Sequence, residues 1–76
     1  MIAEKEIAIF CSNVWHLRQS HALTVQEMAD ICDIEPEDLK TLEQGTLTEN
    51  ITVDVAIHLF HYFKISPEQL FIPMLQ

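Results

Sequence analysis

Three side chains capable of binding a metal fall close together near the middle of the chain's second half. Asp54, His58 and His61 are four and three residues apart, so a helix would place them on one face. A carboxylate and two imidazoles at this spacing can bind a divalent metal. The sequence offers no evident fourth ligand, and polar stripes of this kind are common on solvated helices. We therefore expect no metal and no cofactor.

Catalytic chemistry is not indicated elsewhere in the sequence. It contains no grouping of nucleophile, base and orienting residue, no glycine-rich phosphate loop and no metalloprotease spacing, so we do not expect an enzyme. Cys11 and Cys32 fall at apolar positions of helical patterns, which predicts buried thiols rather than a disulfide scaffold. No apolar run approaches the roughly 20 residues that span a bilayer. We expect a cytoplasmic protein that does not enter the membrane.

Acidic residues dominate the charge of the chain. Its 76 residues carry twelve Asp and Glu against four Lys and Arg, for a formal net charge of −8. The four fixed cations are Lys5, Arg18, Lys40 and Lys64. A surface this acidic opposes close approach to a polyanion such as DNA.

The segment from Thr24 to Gly45 predicts two short helices joined by a sharp turn. Thr24 and Glu27 form a capping box that begins one helix, and Asp33 stands at the turn. Pro36 fits the first position of the next helix, and Gly45, the only glycine, stands where that helix should end in a left-handed residue. Apolar spacing predicts one all-helical domain with five helices, at about residues 3 to 20, 25 to 32, 36 to 44, 53 to 63 and 67 to 72.

Several short segments of the chain match a known sequence pattern, both in the types of their residues and in their order along the chain. They are Val14-Trp15-His16-Leu17-Arg18, Leu23-Thr24, Met28-Ala29, Asp33-Ile34-Glu35, Leu42-Glu43-Gln44-Gly45 and the stretch from Tyr62 to Leu70. In these segments the chain resembles the Cro and lambda-repressor-like helix-turn-helix family, often called XRE-type regulators.

The resemblance implies a single five-helix lambda-repressor-like DNA-binding domain over residues 1–76, with its helix-turn-helix at about residues 24 to 44. It implies that Arg18 and Glu43 form a structural ion pair between the first and third helices. The third helix would enter the major groove. The candidate nucleic-acid contacts are Gln26, Pro36, Glu37, Asp38, Lys40 and Thr41.

The start of the third helix is a poor base-reading surface. Pro36 has no donor, and the carboxylates of Glu37 and Asp38 are repelled by phosphates, with cytosine amino groups as their natural partners at base edges. Acids in a first turn also complement the helix dipole, which is reason enough for their presence.

More apolar residues are present than a domain of this size can bury. Ala56, Leu59, Phe60 and Phe63 should turn inward on the fourth helix, and residues 53 to 72 should carry a self-association surface, although scattered half-exposed residues would also explain the surplus. The predicted dimer interface comprises Val55, Ile57, Tyr62, Phe71, Ile72, Met74 and Leu75.

Two functions fit these observations. One is a small XRE-type transcriptional regulator that binds duplex DNA as a homodimer. The other is an acidic helix-turn-helix module, such as an antirepressor or a DNA-mimicking inhibitor, that has lost DNA binding and binds a basic protein.

Overall fold

The computed structural model describes residues 4–73, and within them the chain is all-helical. Four α-helices are followed by one 3-10 helix, and no strand occurs in the described range. The elements are α1 (Glu4–Ser20), α2 (Val25–Cys32), α3 (Pro36–Glu43), α4 (Asp54–Phe63) and the 3-10 helix (Pro67–Phe71). The predicted fifth helix is therefore a short 3-10 helix of five residues, and it ends at Phe71 rather than at Ile72.

One hydrophobic core joins all five elements. α1 packs against α3 and the 3-10 helix, α2 packs against α3 and α4, and α4 also contacts the 3-10 helix. The fully buried apolar side chains include Val14, Met28, Leu39, Leu42, Leu59 and Leu70. Leu23, Ile31, Ile34 and Ile65 pack against this core while remaining partly exposed.

The N-terminus of α4 differs by one residue from the prediction. The Thr52 hydroxyl accepts from the Asp54 N–H at 3.3 Å, and the Thr52 carbonyl accepts from the Val55 N–H at 3.1 Å. Thr52 therefore holds the entry to α4 by hydrogen bonds, while the regular helix begins at Asp54.

The buried face of α4 is rotated relative to the predicted one. Val55, Ala56 and Leu59 are buried, whereas Phe60 is 43% exposed, so the prediction that Phe60 turns inward is wrong. α4 packs on α2 and on the 3-10 helix, and Val55 completes the face toward these neighbours. A rotation of α4 about its own axis, relative to the predicted orientation, thus accounts for both the burial of Val55 and the exposure of Phe60.

Candidate nucleic-acid interface

Hydrogen bonds define both ends of α2 and therefore the direction of the turn that leads to α3. Thr24 accepts from the Glu27 N–H at 3.0 Å, and Glu27 accepts from the Thr24 N–H at 2.8 Å, which completes the capping box of α2. Asp33 is left-handed, with φ of 58°. Its N–H donates to the Asp30 carbonyl, and the Ile34 N–H donates to the Ala29 carbonyl. This is the Schellman pattern, which fixes the direction in which the chain leaves α2.

α3 begins without a side-chain cap and ends at the glycine. Pro36 occupies its first turn, where no N–H is needed. Gly45 has φ of +102°, its N–H donates to the Leu42 carbonyl, and the Thr46 N–H donates to the Thr41 carbonyl. A Cβ at residue 45 would meet nothing within 4 Å, so the positive φ is the reason for glycine there.

Arg18 and Glu43 link α1 to α3 through a two-pronged ion pair. Arg18 Nε lies 2.7 Å from Glu43 Oε2, and Arg18 Nη2 lies 2.9 Å from Glu43 Oε1. Arg18 Nη1 also donates to the Leu23 carbonyl at 3.1 Å, at the entry to α2. The two side chains are only 14% and 8% exposed, and the hydrogen bonds to Glu43 raise the pKa of Arg18. Arg18 is therefore committed to the scaffold and is not available to phosphates.

The six candidate contact residues lie on the outer surface of this two-helix unit. Gln26, Glu37 and Lys40 are exposed, and Pro36, Asp38 and Thr41 are partly exposed. Two of the side chains make local hydrogen bonds within their own helix. Gln26 Nε2 donates to Asp30 Oδ1 at 2.9 Å, and Thr41 Oγ1 donates to the Glu37 carbonyl at 3.0 Å.

Asp38 has a structural role that the sequence did not reveal. Its carboxylate accepts from Thr48 Oγ1 and from Asn50 Nδ2, both at 3.2 Å, and so ties the loop after α3 back to the start of α3. Glu37, by contrast, points into solvent. Of the two acids at the N-terminus of α3, Glu37 is therefore the one exposed to a ligand.

An open cleft of about 490 Å³ lies beside the turn between α2 and α3. Its lining includes the carboxylates of Asp30, Asp33, Glu35 and Asp38. Within the two helices and their turn the chain also has Glu27, Glu37 and the Arg18-bound Glu43, while its single lysine is Lys40. The surface that would face DNA is thus predominantly acidic, as the sequence predicted.

Both cysteines are buried and free. Burial raises the pKa of the Cys11 thiol. Burial and the nearby carboxylate of Glu43 together raise the pKa of Cys32 to about 12. These thiols stay protonated and act as small apolar core groups.

The predicted dimer interface requires correction. Val55 is 1% exposed and belongs to the core of its own chain, so its assignment to an interface is wrong. Phe71 is partly buried, with its ring stacked on Phe10 at 5.4 Å between centroids, and it serves the same core. Ile57, Tyr62 and Ile72 are exposed. Met74 and Leu75 lie outside the described residues.

Asn13 is a structural residue that the sequence reasoning missed. It is buried on α1, and its Nδ2 donates to the carbonyls of Leu70 at 2.7 Å and Ile72 at 2.9 Å. These bonds hold the end of the 3-10 helix against α1. The signal was present, since Asn13 lies three residues after Phe10 and four before Leu17, within an otherwise apolar stripe.

The described residues contain neither a candidate metal-binding group nor a helix that could cross a membrane. Among residues 4–73 no group of three or more His, Cys, Asp and Glu side chains is arranged to bind a metal ion, and Asp54, His58 and His61 do not form one. None of the helices in this range has the length and apolar content needed to cross a membrane.

Comparison with known proteins adds no family assignment. No protein-family model matches the chain, and no curated protein or solved structure matches it. The geometry and charge of the chain itself are therefore the basis for inferring its function.

Proposed function

We propose that this chain is a small helix-turn-helix regulator of the Cro and lambda-repressor-like type, and that it binds duplex DNA as a homodimer. The observation that carries the proposal is the construction of α2, its turn and α3. α2 begins with a capping box and ends at a left-handed Asp33, α3 ends at Gly45, and the Arg18–Glu43 pair holds α3 to α1. A rigid unit of this form can present α3 to a major groove.

The contact surface follows from which side chains are exposed on α3. Lys40 is exposed and can contact a phosphate, and Thr41 on α3 and Gln26 on α2 offer polar groups to base edges or the backbone. Glu37 can accept a hydrogen bond only from a donor such as a cytosine amino group. Asp38 supports the loop after α3 and is not a base contact in this proposal.

Selection from a random duplex library with the full-length protein tests the proposal. We expect enrichment of an inverted repeat whose half-sites are separated by about one helical turn, roughly 10 base pairs, because a twofold dimer presents two copies of α3. A Lys40→Ala variant should lose affinity for selected and random duplexes alike, since a phosphate contact carries no sequence information. Failure to enrich any sequence at low salt would contradict the proposal.

A second candidate function is favoured by the acidic cleft beside the turn. If α3 and this cleft bind a basic protein, the carboxylates of Asp30, Asp33 and Glu35 would provide charge complementarity that DNA cannot. Capture of partners from host lysate, with and without nuclease treatment, separates the two functions. A basic protein retained after nuclease treatment, together with no duplex selection, supports this second candidate.

A further inference from the structure

The outward side of α4 carries a row of exposed apolar side chains. Val53, Ile57 and Phe60 are spaced four and three residues apart, and they are 74%, 43% and 43% exposed. The Ile57 N–H donates to the Val53 carbonyl at 3.3 Å, and the Lys64 N–H donates to the Phe60 carbonyl at 2.8 Å. Helical hydrogen bonding thus extends to both ends of the row. We call these three residues the α4 stripe.

The apolar surface continues beyond the α4 stripe. Val53 also lines an apolar groove of about 310 Å³ together with Ile7, Phe10, Leu47 and Phe71. Leu47 is itself exposed. A continuous apolar surface of this kind marks an interaction site more strongly than scattered exposed residues do.

The charges at the two ends of α4 are opposite in sign. Asp54 is the first residue of α4, next to Val53, and Lys64 follows the last residue, four positions after Phe60. Residues 55 to 67 contain no Asp or Glu. Two copies that each carry a net charge of −8 repel one another least where this part of their surfaces meets.

We propose that the α4 stripe is covered by the α4 stripe of a second copy of the chain, with the two α4 helices antiparallel about a twofold axis. Antiparallel packing brings Ile57 against the partner's Phe60 and Asp54 near the partner's Lys64, and symmetry repeats both contacts. Parallel packing would instead place Asp54 beside the partner's Asp54. Charge complementarity therefore selects the antiparallel arrangement.

This interface is the contact surface that the proposed DNA-binding homodimer requires. The biological role of the interface rests on the proposed function, whereas its existence is argued from α4 alone. Its test is the oligomeric state measured without DNA. A dimer that binds no duplex would contradict the proposed function alone, whereas a monomer that binds duplex would contradict this interface alone.

Analytical ultracentrifugation of the full chain tests the interface directly. We expect a concentration-dependent dimer, and we expect Ile57→Glu and Phe60→Glu each to raise the dimer dissociation constant about 30-fold or more. Because both side chains lie outside the core, the helical circular dichroism signal should be retained.

Tyr62→Glu is the matched control. Tyr62, which the sequence assigned to the dimer interface, is 56% exposed but lies seven residues after buried Val55, on a different side of α4 from the stripe; this proposal places it outside the interface, so its variant should remain a dimer.

Charge exchange tests the antiparallel arrangement. Asp54→Lys and Lys64→Glu should each weaken the dimer, and the double variant should restore it because the opposite charges again face one another. The proposal is overturned if the intact chain is a monomer at high micromolar concentration. It is equally overturned if Tyr62→Glu dissociates the dimer as Ile57→Glu does, or if the double exchange gives no recovery.

Discussion

Glu37 and Asp38 are adjacent at the start of α3 but have different roles in the folded chain. Asp38 holds the following loop through Thr48 and Asn50, while Glu37 is exposed on the surface that would contact a ligand. Glu37 is therefore the residue whose charge can be changed without altering the fold.

The variant Glu37→Gln should change duplex affinity and partner affinity in opposite directions. If DNA is the ligand, removing one repulsive charge per copy should strengthen binding to random duplex, by about three- to tenfold at low salt. If a basic protein is the ligand, association should slow and depend less on salt. Fluorescence anisotropy at two salt concentrations measures both effects. Glu68→Gln makes the same charge change on the 3-10 helix, away from α3, and should have no effect on either ligand.

Asn13 should contribute strongly to stability through its two hydrogen bonds to the C-terminal segment. Asn13→Leu removes the donor and leaves the Leu70 and Ile72 carbonyls without it, so we expect a loss of about 1 to 3 kcal/mol in the free energy of unfolding. Urea denaturation measures this loss. Ser12→Ala, at the exposed neighbouring position on α1, should change stability by about 0.5 kcal/mol or less. Equal effects of the two substitutions would contradict the assigned role of Asn13.

The buried thiols predict loss of stability at alkaline pH. Both have ordinary pKa values of 9.0, and burial raises the pKa of Cys32 to about 12 in the folded chain. As pH rises above 9, the unfolded chain releases protons that the folded chain retains. The stability due to Cys32 is therefore intact below pH 9 and is lost between about pH 9 and 12, with a slope of up to about 1.4 kcal/mol per pH unit.

Cys32→Ala isolates this contribution from the titration of other groups. The variant should be less stable at neutral pH, because it leaves a cavity in the core, but its stability should decline less steeply above pH 9. Denaturation curves at a series of pH values compare the two slopes. Equal slopes for wild type and variant would contradict the assignment.

The four α-helices all end in a left-handed residue, although the chain has a single glycine. Ala22, Asp33 and Lys64 have φ of 54°, 58° and 62°, and Gly45 has φ of 102°. After α1, the Leu23 N–H donates to the Arg18 carbonyl and the Ala22 N–H donates to the Gln19 carbonyl, which is the same Schellman pattern that ends α2 and α3. Left-handed backbone is unfavourable for residues with a Cβ, so these ends are local sites of strain.

Replacing Ala22 with glycine should therefore stabilise the protein. We expect a gain of about 0.5 to 1 kcal/mol, because relief of the left-handed conformation exceeds the added entropy of the unfolded chain. For a domain of this size, each kcal/mol of added stability raises Tm by about 4 to 8 °C. Calorimetry can measure the expected increase in Tm. Ala8→Gly, at an exposed position within α1, makes the same chemical change in regular helix and should lower Tm instead. A lower Tm for Ala22→Gly would contradict this account.

At the level of elements, the sequence predicted what local chemistry determines. The α2 boundaries follow from Thr24 and Glu27, and the end of α3 follows from Gly45, because these residues carry their own hydrogen-bonding signals. The rotation of α4 depends on which neighbours cover it. Val55 and Phe60 both fit a helical stripe, and only tertiary packing decides which of them is buried.

The sequence predicted some features of the candidate site but not its long-range hydrogen bonds. Burial of Arg18 with Glu43 followed from a family resemblance, and the acidity of α3 followed from composition. The bonds of Asp38 to Thr48 and Asn50 join residues ten and twelve positions apart through an irregular loop, for which no periodic pattern exists. Asn13 was detectable in principle, because a polar residue within an apolar stripe requires a buried partner.

The molecule as a whole separates its acidic surface from its apolar surface. Six carboxylates lie on α2, the turn and the first half of α3, while residues 55 to 67 have none. Ile57 and Phe60 of the α4 stripe lie within this carboxylate-free segment, and Val53 lies next to Asp54. Dimerisation through that stripe would join the two copies away from α3 and the turn before it, which reduces the electrostatic opposition to assembly.

The central claim, that α3 binds duplex DNA despite its acidity, is tested most directly by a salt titration of duplex affinity. Lys5 and Lys40 are exposed, while Lys64 faces the partner's Asp54 in the proposed dimer, so a dimer has at most about four lysine–phosphate contacts, and the slope of log K against log salt should be no steeper than about −4. Lys40→Ala should make the slope shallower by about one for each copy that contacts DNA. Absence of duplex binding at low salt, or a slope unchanged by Lys40→Ala, would contradict the claim.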